Sequence, residues 1–336
     1  MDIYVLGPDK SFVRRDVNLL RSLGHNVRTD RFDTTVDVVR ALSRSRVFDC
    51  TILWCAGYGS ARFAGAPRAF RSKAISIIAG GEAYAAYGSA LNSLTKRTLD
   101  NVEGACFVSK HLVHKAMKNG LTIPKNFCVS SPPIDSEAFK PGKKEPKTAA
   151  MIVGVCKTPR RLLDKGVDRL LNLAASNPDW HFELLGIDPS DETGMRYSEI
   201  EAITGYKFPS NVQASIPSDA VLRNTLSYTD VILSLSRVEG LSNALMEGML
   251  SGCIPLVTSD VQSSVEAANT SSRQRGHVLF NCDNLKESRT LSQIMQGFDA
   301  DDVDREICRD YAKKMTSPKQ REIAFDYLFR GLGYSI

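Results

Sequence analysis

The sequence lacks the features that mark several large classes of protein. No stretch approaches the ~20 consecutive apolar residues of a membrane-spanning helix, which excludes an integral membrane protein of that kind. The cysteines (Cys50, Cys55, Cys106, Cys128, Cys156, Cys253, Cys282 and Cys308) form no Cys-x-x-Cys pair and none of the spacings that zinc sites use. A disulfide framework and a metal site are therefore not expected, and the thiols read as those of a reduced, cytoplasmic protein. The opening Met1-Asp2-Ile3-Tyr4-Val5-Leu6-Gly7 has no basic region ahead of a long apolar run, so no export leader is expected. Internal repeats and low-complexity tracts are absent as well.

What is there is an ordinary globular composition, 43% hydrophobic and 24% charged. A length of 336 residues fits two domains of roughly 150 residues, each able to bury its own core. Short apolar runs alternate with helical patterns: Ile3 to Leu6, Cys50 to Trp54, Ala74 to Ala79, Ala105 to Val108 and Phe127 to Ser130 predict strands. Between the first two, Val13, Val17 and Leu20 recur at helical spacing, with Arg14, Arg15 and Arg21 opposite. The segment Lys140-Pro141-Gly142-Lys143-Lys144-Glu145-Pro146-Lys147 is charged and full of breakers, as exposed linkers are. The alternation then restarts with Ala149 to Val155, His181 to Leu185, a strand near Val212, Val231 to Leu235 and Ile254 to Val257.

Repeated strand, helix and strand predict an α/β chain of two Rossmann-like, doubly wound parallel-sheet domains facing a central cleft. Their expected limits are 1–142 and 147–318, with a last helix, 319–336, joining the first domain. Charge divides unevenly between them. Residues 1–142 hold 20 Lys plus Arg against 12 Asp plus Glu, a net +8, and the other 194 hold 23 against 26, a net −3. Such an excess steers an anionic substrate or holds a domain to an acidic membrane surface; a solvated basic face is the plain alternative. No nucleic-acid partner is expected.

Two segments carry chemistry. In the first, Ser236-Arg237-Val238-Glu239-Gly240-Leu241-Ser242-Asn243-Ala244-Leu245-Met246-Glu247, an apolar strand runs into a loop and Ser242 is placed to cap a helix ending at Gly252. The free N–H groups and positive dipole end of that helix make an anion site at the carboxyl edge of the sheet. Glu239 lies before the helix and Glu247 one turn inside it, where carboxylates serve to accept sugar hydroxyls; ordinary helix-start acids are the alternative. In the second, a strand ends at Gly154, and a cationic loop with Arg160 and Arg161 leads to Lys165-Gly166, expected at a helix start. A cation beside a helix N-terminus points to an anionic ligand close by.

Together these segments resemble the nucleotide-binding domain of retaining GT-B glycosyltransferases of the large family four, marked by two glutamates with seven residues between them. Glu239 and Glu247 have that spacing. Leu184-Leu185-Gly186, Asn211-Val212, Ser236 and the run from Pro255 to Glu266 follow in the family's order, as do Phe107-Val108-Ser109 and Ile134-Asp135 to Pro141 in the first half. The resemblance implies metal-independent transfer from a nucleoside-diphosphate sugar, UDP- or GDP-linked, to a glycan, lipid or protein acceptor, with no cofactor. It assigns Lys165 and Arg160 or Arg161 to the leaving diphosphate, Glu239 to the donor sugar and Glu247 to ribose. Gly154, Ser236, Gly240, Leu241, Ser242 and Asn243 would line the nucleotide site. Where many members carry His-Gly, this chain has Ala79-Gly80-Gly81-Glu82, and Glu82 is the candidate acceptor-side contact. A nucleotide-sugar epimerase and a non-catalytic nucleotide-sugar-binding protein are the rival readings.

Three further patterns carry less. Gly57-Tyr58-Gly59 lacks the third glycine of a dinucleotide fingerprint. The acidic pairs Asp299/Asp301 and Asp302/Asp304 read as helix-start acids, and His111 with His114 has no further ligand nearby in sequence.

Overall fold

The computed structural model describes residues 1–32, 34–85, 88–145, 147–154, 158–190, 195–268, 277–279 and 302–334. Asp299 and Asp301, and Val155 to Lys157 of the cationic loop, lie outside them. The chain divides into one unit of residues 1–134 with 315–336 and a second of residues 135–314.

In the first unit, strands β1 (Asp2–Leu6), β2 (Asn26–Asp30), β3 (Cys50–Trp54), β4 (Lys73–Ile78), β5 (Gly104–Phe107) and β6 (Phe127–Val129) form a parallel sheet of order β2-β1-β3-β4-β5-β6. Helices α1 (Ser11–Ser22), α2 (Thr35–Ser45), α3 (Tyr58–Ala64), α4 (Gly81–Tyr84), α5 (Ala90–Asn101) and α6 (Lys110–Lys118) connect them. All of β3 is buried, as covering on both faces requires. The edge strand β2, Asn-Val-Arg-Thr-Asp, has one apolar residue and no pattern that sequence could reveal.

Helix α1 buries Val13, Val17 and Leu20, and Asp16 lies on the same buried face. Its partner is Arg321 of the last helix, Pro318–Gly331, which grips both carboxylate oxygens at 2.9 and 2.5 Å and donates to the Ser130 carbonyl at 2.7 Å. Burial opposes the Arg321 charge, and the attraction of Asp16 and of the Cys106 sulfur outweighs it, holding the guanidinium protonated well above arginine's ordinary range.

The breaker-rich segment before the second sheet is packed onto the second unit. Gly142 and Glu145 donate N–H bonds to the Ser227 and Tyr228 carbonyls, and Lys144 reaches the Leu226 and Ser251 carbonyls at 3.2 and 2.6 Å. The division therefore falls at 134/135 instead of within 143–146. Carbonyls at helix ends recruit the lysine, while Lys140, Pro141, Gly142, Lys143 and Glu145 are exposed, as charge and breakers predict.

The second unit holds β7 (Thr148–Ile152), β8 (His181–Leu185), β9 (Val212–Ser215), β10 (Val231–Ser234), β11 (Ile254–Thr258) and β12 (His277–Leu279), parallel in the order β12-β11-β10-β7-β8-β9. The helices are α7 (Pro159–Lys165), α8 (Val167–Ala175), α9 (Tyr197–Thr204), α10 (Asp219–Tyr228), α11 (Asn243–Leu250) and α12 (Gln262–Ala268), followed by helix Asp302–Met315. Leu162, Val167, Leu170 and Leu171 of the helices share a core with Met151, Leu184 and Leu233 of the strands. Counted from β7, this is the doubly wound order 3-2-1-4-5-6, whose direction reverses between β7 and β10. Ligands of open α/β sheets bind outside the carboxyl ends of the strands at such a reversal.

Candidate functional site

The two segments singled out in the sequence leave β7 and β10 at that reversal. The cationic segment turns helical earlier than expected. Thr158 caps α7 by accepting the Arg161 N–H at 3.4 Å, and Pro159, which has no N–H to lose, takes the first position. Lys165 is thus the last residue of α7, where that helix's dipole favours a cation, and it also stands directly before α8, whose N-cap is Gly166, so the helix start expected at Lys165-Gly166 is present with a second helix ending on it. The carboxyl end of α7 and the amino end of α8 act on Lys165 with opposite sign, so the dipoles by themselves do not call for an anion there. Gly166, at φ +78°, then turns the chain into α8. A Cβ on Gly166 would stand 2.1 Å from the Leu235 carbonyl oxygen, so only glycine lets the α7–α8 junction touch the end of β10.

That contact brings Lys165 to Glu239, and the ammonium donates to the carboxylate with both side chains largely buried. Around the pair runs a set of clamps that the sequence reading did not single out. Arg237 grips both oxygens of Asp168 at 2.9 and 2.7 Å, and donates to the Leu163 carbonyl at 2.5 Å. Its backbone N–H reaches the Asp164 carbonyl at 2.8 Å. Arg169 donates to Asp260 at 2.6 Å and to the Leu235 carbonyl at 3.0 Å. One signal for Arg169 was available: it sits amid the apolar run Val167, Leu170, Leu171, and a cation on a buried face needs a partner. Which acid would meet it, ninety-one positions away, was not readable.

Helix α11 begins where expected, and Ser242 accepts the Leu245 N–H at 3.2 Å. It ends at Leu250, short of Gly252. Glu247 is buried in its second turn, and Ser236, Gly240 and Leu241 are buried in the loop before it. The Ser236 carbonyl accepts the Thr258 hydroxyl at 3.2 Å. The Asn243 side-chain oxygen is buried with no hydrogen-bond partner among the described residues. Across the reversal, Gly154 is exposed at the end of β7 with φ +63°. The Arg161 guanidinium lies 3.8 Å from where a Cβ on Gly154 would stand. Among the described residues Arg160, 91% exposed, meets only Asp164, at 3.6 Å, within its own helix. Of the two arginines the sequence left open, Arg161 is the one beside the strand end.

No family model matches the chain, and no curated protein does. Solved structures do match. A sucrose-phosphate synthase from Thermosynechococcus elongatus superposes with TM-score 0.76 at 12% identity, over 99% of either chain. HepE of Anabaena, in complex with UDP-glucose, gives 0.74 at 10% identity over 98% of this chain and 100% of its own. The fold is GT-B. TarM of S. aureus, in complex with UDP, gives 0.64 at 12% identity over 88% of this chain, and the match spans 58% of TarM's length.

In the first GT-B domain, Glu82 stands in α4 just past the carboxyl end of β4. It is buried, and its two oxygens accept the Ala79 and Gly80 N–H groups at 2.8 and 3.2 Å. Burial pushes its carboxyl above the usual range, and those N–H groups offset this only in part. Its carboxylate shapes its own loop. Gly57-Tyr58-Gly59 opens α3 after the third strand, away from the place a dinucleotide fingerprint would take. Among the described residues no group of three or more His, Cys, Asp and Glu could hold a metal, and no helix is long and apolar enough to cross a membrane.

Proposed function

We propose that the chain transfers a glycosyl group from a nucleoside-diphosphate sugar to an acceptor hydroxyl, with retention of anomeric configuration and without a divalent metal. The observation that carries this is the meeting of Lys165 with Glu239 at the β7–β10 reversal, beside the amino end of α11. Lys165 spends one of its three N–H groups on Glu239 and keeps two for a diphosphate. Arg161 and the first-turn N–H groups of α11 add positive potential at the same edge. These groups act most strongly as the glycosidic C–O bond breaks and charge builds on the leaving diphosphate, so they lower the barrier instead of only binding substrate.

Glu239 accepts donor-sugar hydroxyls and Glu247 those of ribose, while a ligand hydroxyl satisfies the orphaned Asn243 oxygen. The acceptor oxygen forms its bond on the face the diphosphate leaves, and its proton passes to the departing diphosphate oxygen. Complexes of HepE with UDP-glucose and of TarM with UDP support a uridine nucleotide, with GDP as the other candidate. The acceptor is a glycan, lipid or protein hydroxyl, with Glu82 placing the loop it meets.

Calorimetry with UDP- and GDP-sugars, followed by NMR of the product anomer, tests the reading. One nucleotide sugar is expected to bind and to turn over with its anomeric configuration kept, at a rate EDTA leaves unchanged. Absence of binding to either series sinks the proposal. Activity abolished by EDTA and restored by magnesium overturns metal independence, and conversion of donor to an isomer without acceptor marks an epimerase.

A further inference from the structure

Four of the five most exposed large hydrophobic residues among those described lie on one small part of the first unit. Val47 is 78% exposed, Val36 64%, Val39 63% and Phe70 57%; the fifth is Met117, at 59%, on α6. Helix α2 buries Val38, Ala41 and Ser45 against the unit. Its outer face, continued past its end, is Val36, Val39, Arg40, Ser43, Arg46 and Val47, all exposed and spaced three or four residues apart. Phe70 belongs to the short 3₁₀ turn Arg68–Phe70, which lies against α2.

A helix that needs only water on its outer side has no use for valine there. β-Branched residues are poor helix formers, and their exposure gains nothing in the folded monomer. The same face carries Arg40, Arg46 and Arg68. Arg40 meets Asp37 at 3.5 Å and Arg68 meets Glu103 at 2.8 Å, while Arg46 has no ion-pair partner among the described residues. The unit as a whole holds 22 Lys plus Arg against 12 Asp plus Glu, a net +10; the second unit holds 21 against 26, a net −5.

We infer that the outer face of α2 with the Arg68–Phe70 turn is a docking surface for an anionic phospholipid bilayer, on which the protein lies without spanning it. Valine and phenylalanine side chains enter the headgroup boundary while the arginines meet lipid phosphates, the division of labour of interfacial helices. Charge sets lipid apart from a second copy of the chain. A two-fold contact through this face would set each arginine cluster against its own image. The inference stands apart from the glycosyltransferase reading and its test does not use activity.

The experiment is co-sedimentation of the full chain with phosphatidylglycerol-containing vesicles and with pure phosphatidylcholine. Binding is expected to the first only, and to weaken between 0.1 M and 1 M salt as the screening length falls from ~10 to ~3 Å. Val39→Ser/Val47→Ser/Phe70→Ser and Arg40→Gln/Arg46→Gln/Arg68→Gln are each expected to bind at least tenfold more weakly, and Met117→Ser like the parent. Hydrogen exchange on the unaltered chain needs no variant: vesicles are expected to slow exchange over 35–47 and 68–70. The inference is overturned by absence of binding to anionic vesicles, by parental affinity in either triple variant, or by protection mapping elsewhere. A concentration-dependent dimer without lipid, lost in the apolar variant, overturns it in favour of a second copy.

Discussion

Gly166 meets Leu235 so closely that a Cβ on the glycine would stand 2.1 Å from the leucine carbonyl oxygen, at a backbone φ of +78°. This contact sets the distance between the helix end bearing Lys165 and the loop bearing Glu239. Gly166→Ala is expected to cost about 3 kcal/mol or more, from left-handed strain and the clash together. Urea unfolding reads the loss, and calorimetry of nucleoside diphosphate binding reads the displaced lysine. Parental stability in the variant is the result that contradicts the contact.

The proposed roles of Glu247, Glu239 and Lys165 separate by substitution. Glu247→Ala is expected to raise the Michaelis constant for donor, because ribose is held alike in ground and transition states. Glu239→Gln keeps affinity for free nucleoside diphosphate and loses turnover. Lys165→Ala loses both, with about 3 kcal/mol of transition-state stabilisation removed, as for one oxyanion-binding donor. Parallel calorimetry and donor-turnover kinetics decide among them, and unchanged kinetics in Glu239→Gln remove the main residue-level support for glycosyl transfer.

Asp16 and Arg321 are buried and bidentate. Asp16→Ala strands a guanidinium with no counter-charge and is expected to cost about 3–5 kcal/mol. The joint replacement Asp16→Leu/Arg321→Met is expected to recover most of that loss, since apolar isosteres avoid the desolvation penalty. Denaturant midpoints of the three chains test it. A double variant as weak as the single would mean the pair itself holds the last helix.

Glu82 contributes a pH dependence of definite sign. Its folded carboxyl ionises above the ordinary glutamate value of 4.5, chiefly through burial. Below that value both states hold the proton. As pH rises past it the unfolded chain ionises first and stability falls, until the folded carboxyl ionises too. Glu82→Gln is therefore expected to gain stability relative to the parent as pH rises through this window and to change no further above it. A stability difference constant from about pH 4 to 7 contradicts the assignment.

Much of the fold was legible because buried parallel strands are continuous apolar runs, as Cys50-Thr-Ile-Leu-Trp54 and Val231-Ile-Leu-Ser234 are. β2 was not, since an edge strand pairing with β1 alone needs little apolar surface. The Ser242 cap and the Glu239/Glu247 spacing were local and could be read. The clamps Arg237–Asp168 and Arg169–Asp260 join residues 69 and 91 positions apart, and local pattern carries no record of such pairings. Gly166 begins α8 as the sequence suggests, and the additional helix before it is signalled only by Thr158-Pro159, so Lys165 both closes α7 and precedes α8.

The first unit is sewn from both ends of the sequence, which bears on how it is made. Asp16 leaves the ribosome 305 residues before Arg321. At translation rates of ~5–20 residues per second, that is a wait of roughly 15–60 s. The second unit, made of one unbroken stretch, can close first, while the earlier sheet waits with an unanswered acid beneath α1. The nascent chain thus passes through a stage in which the first unit, begun before the second, is completed after it.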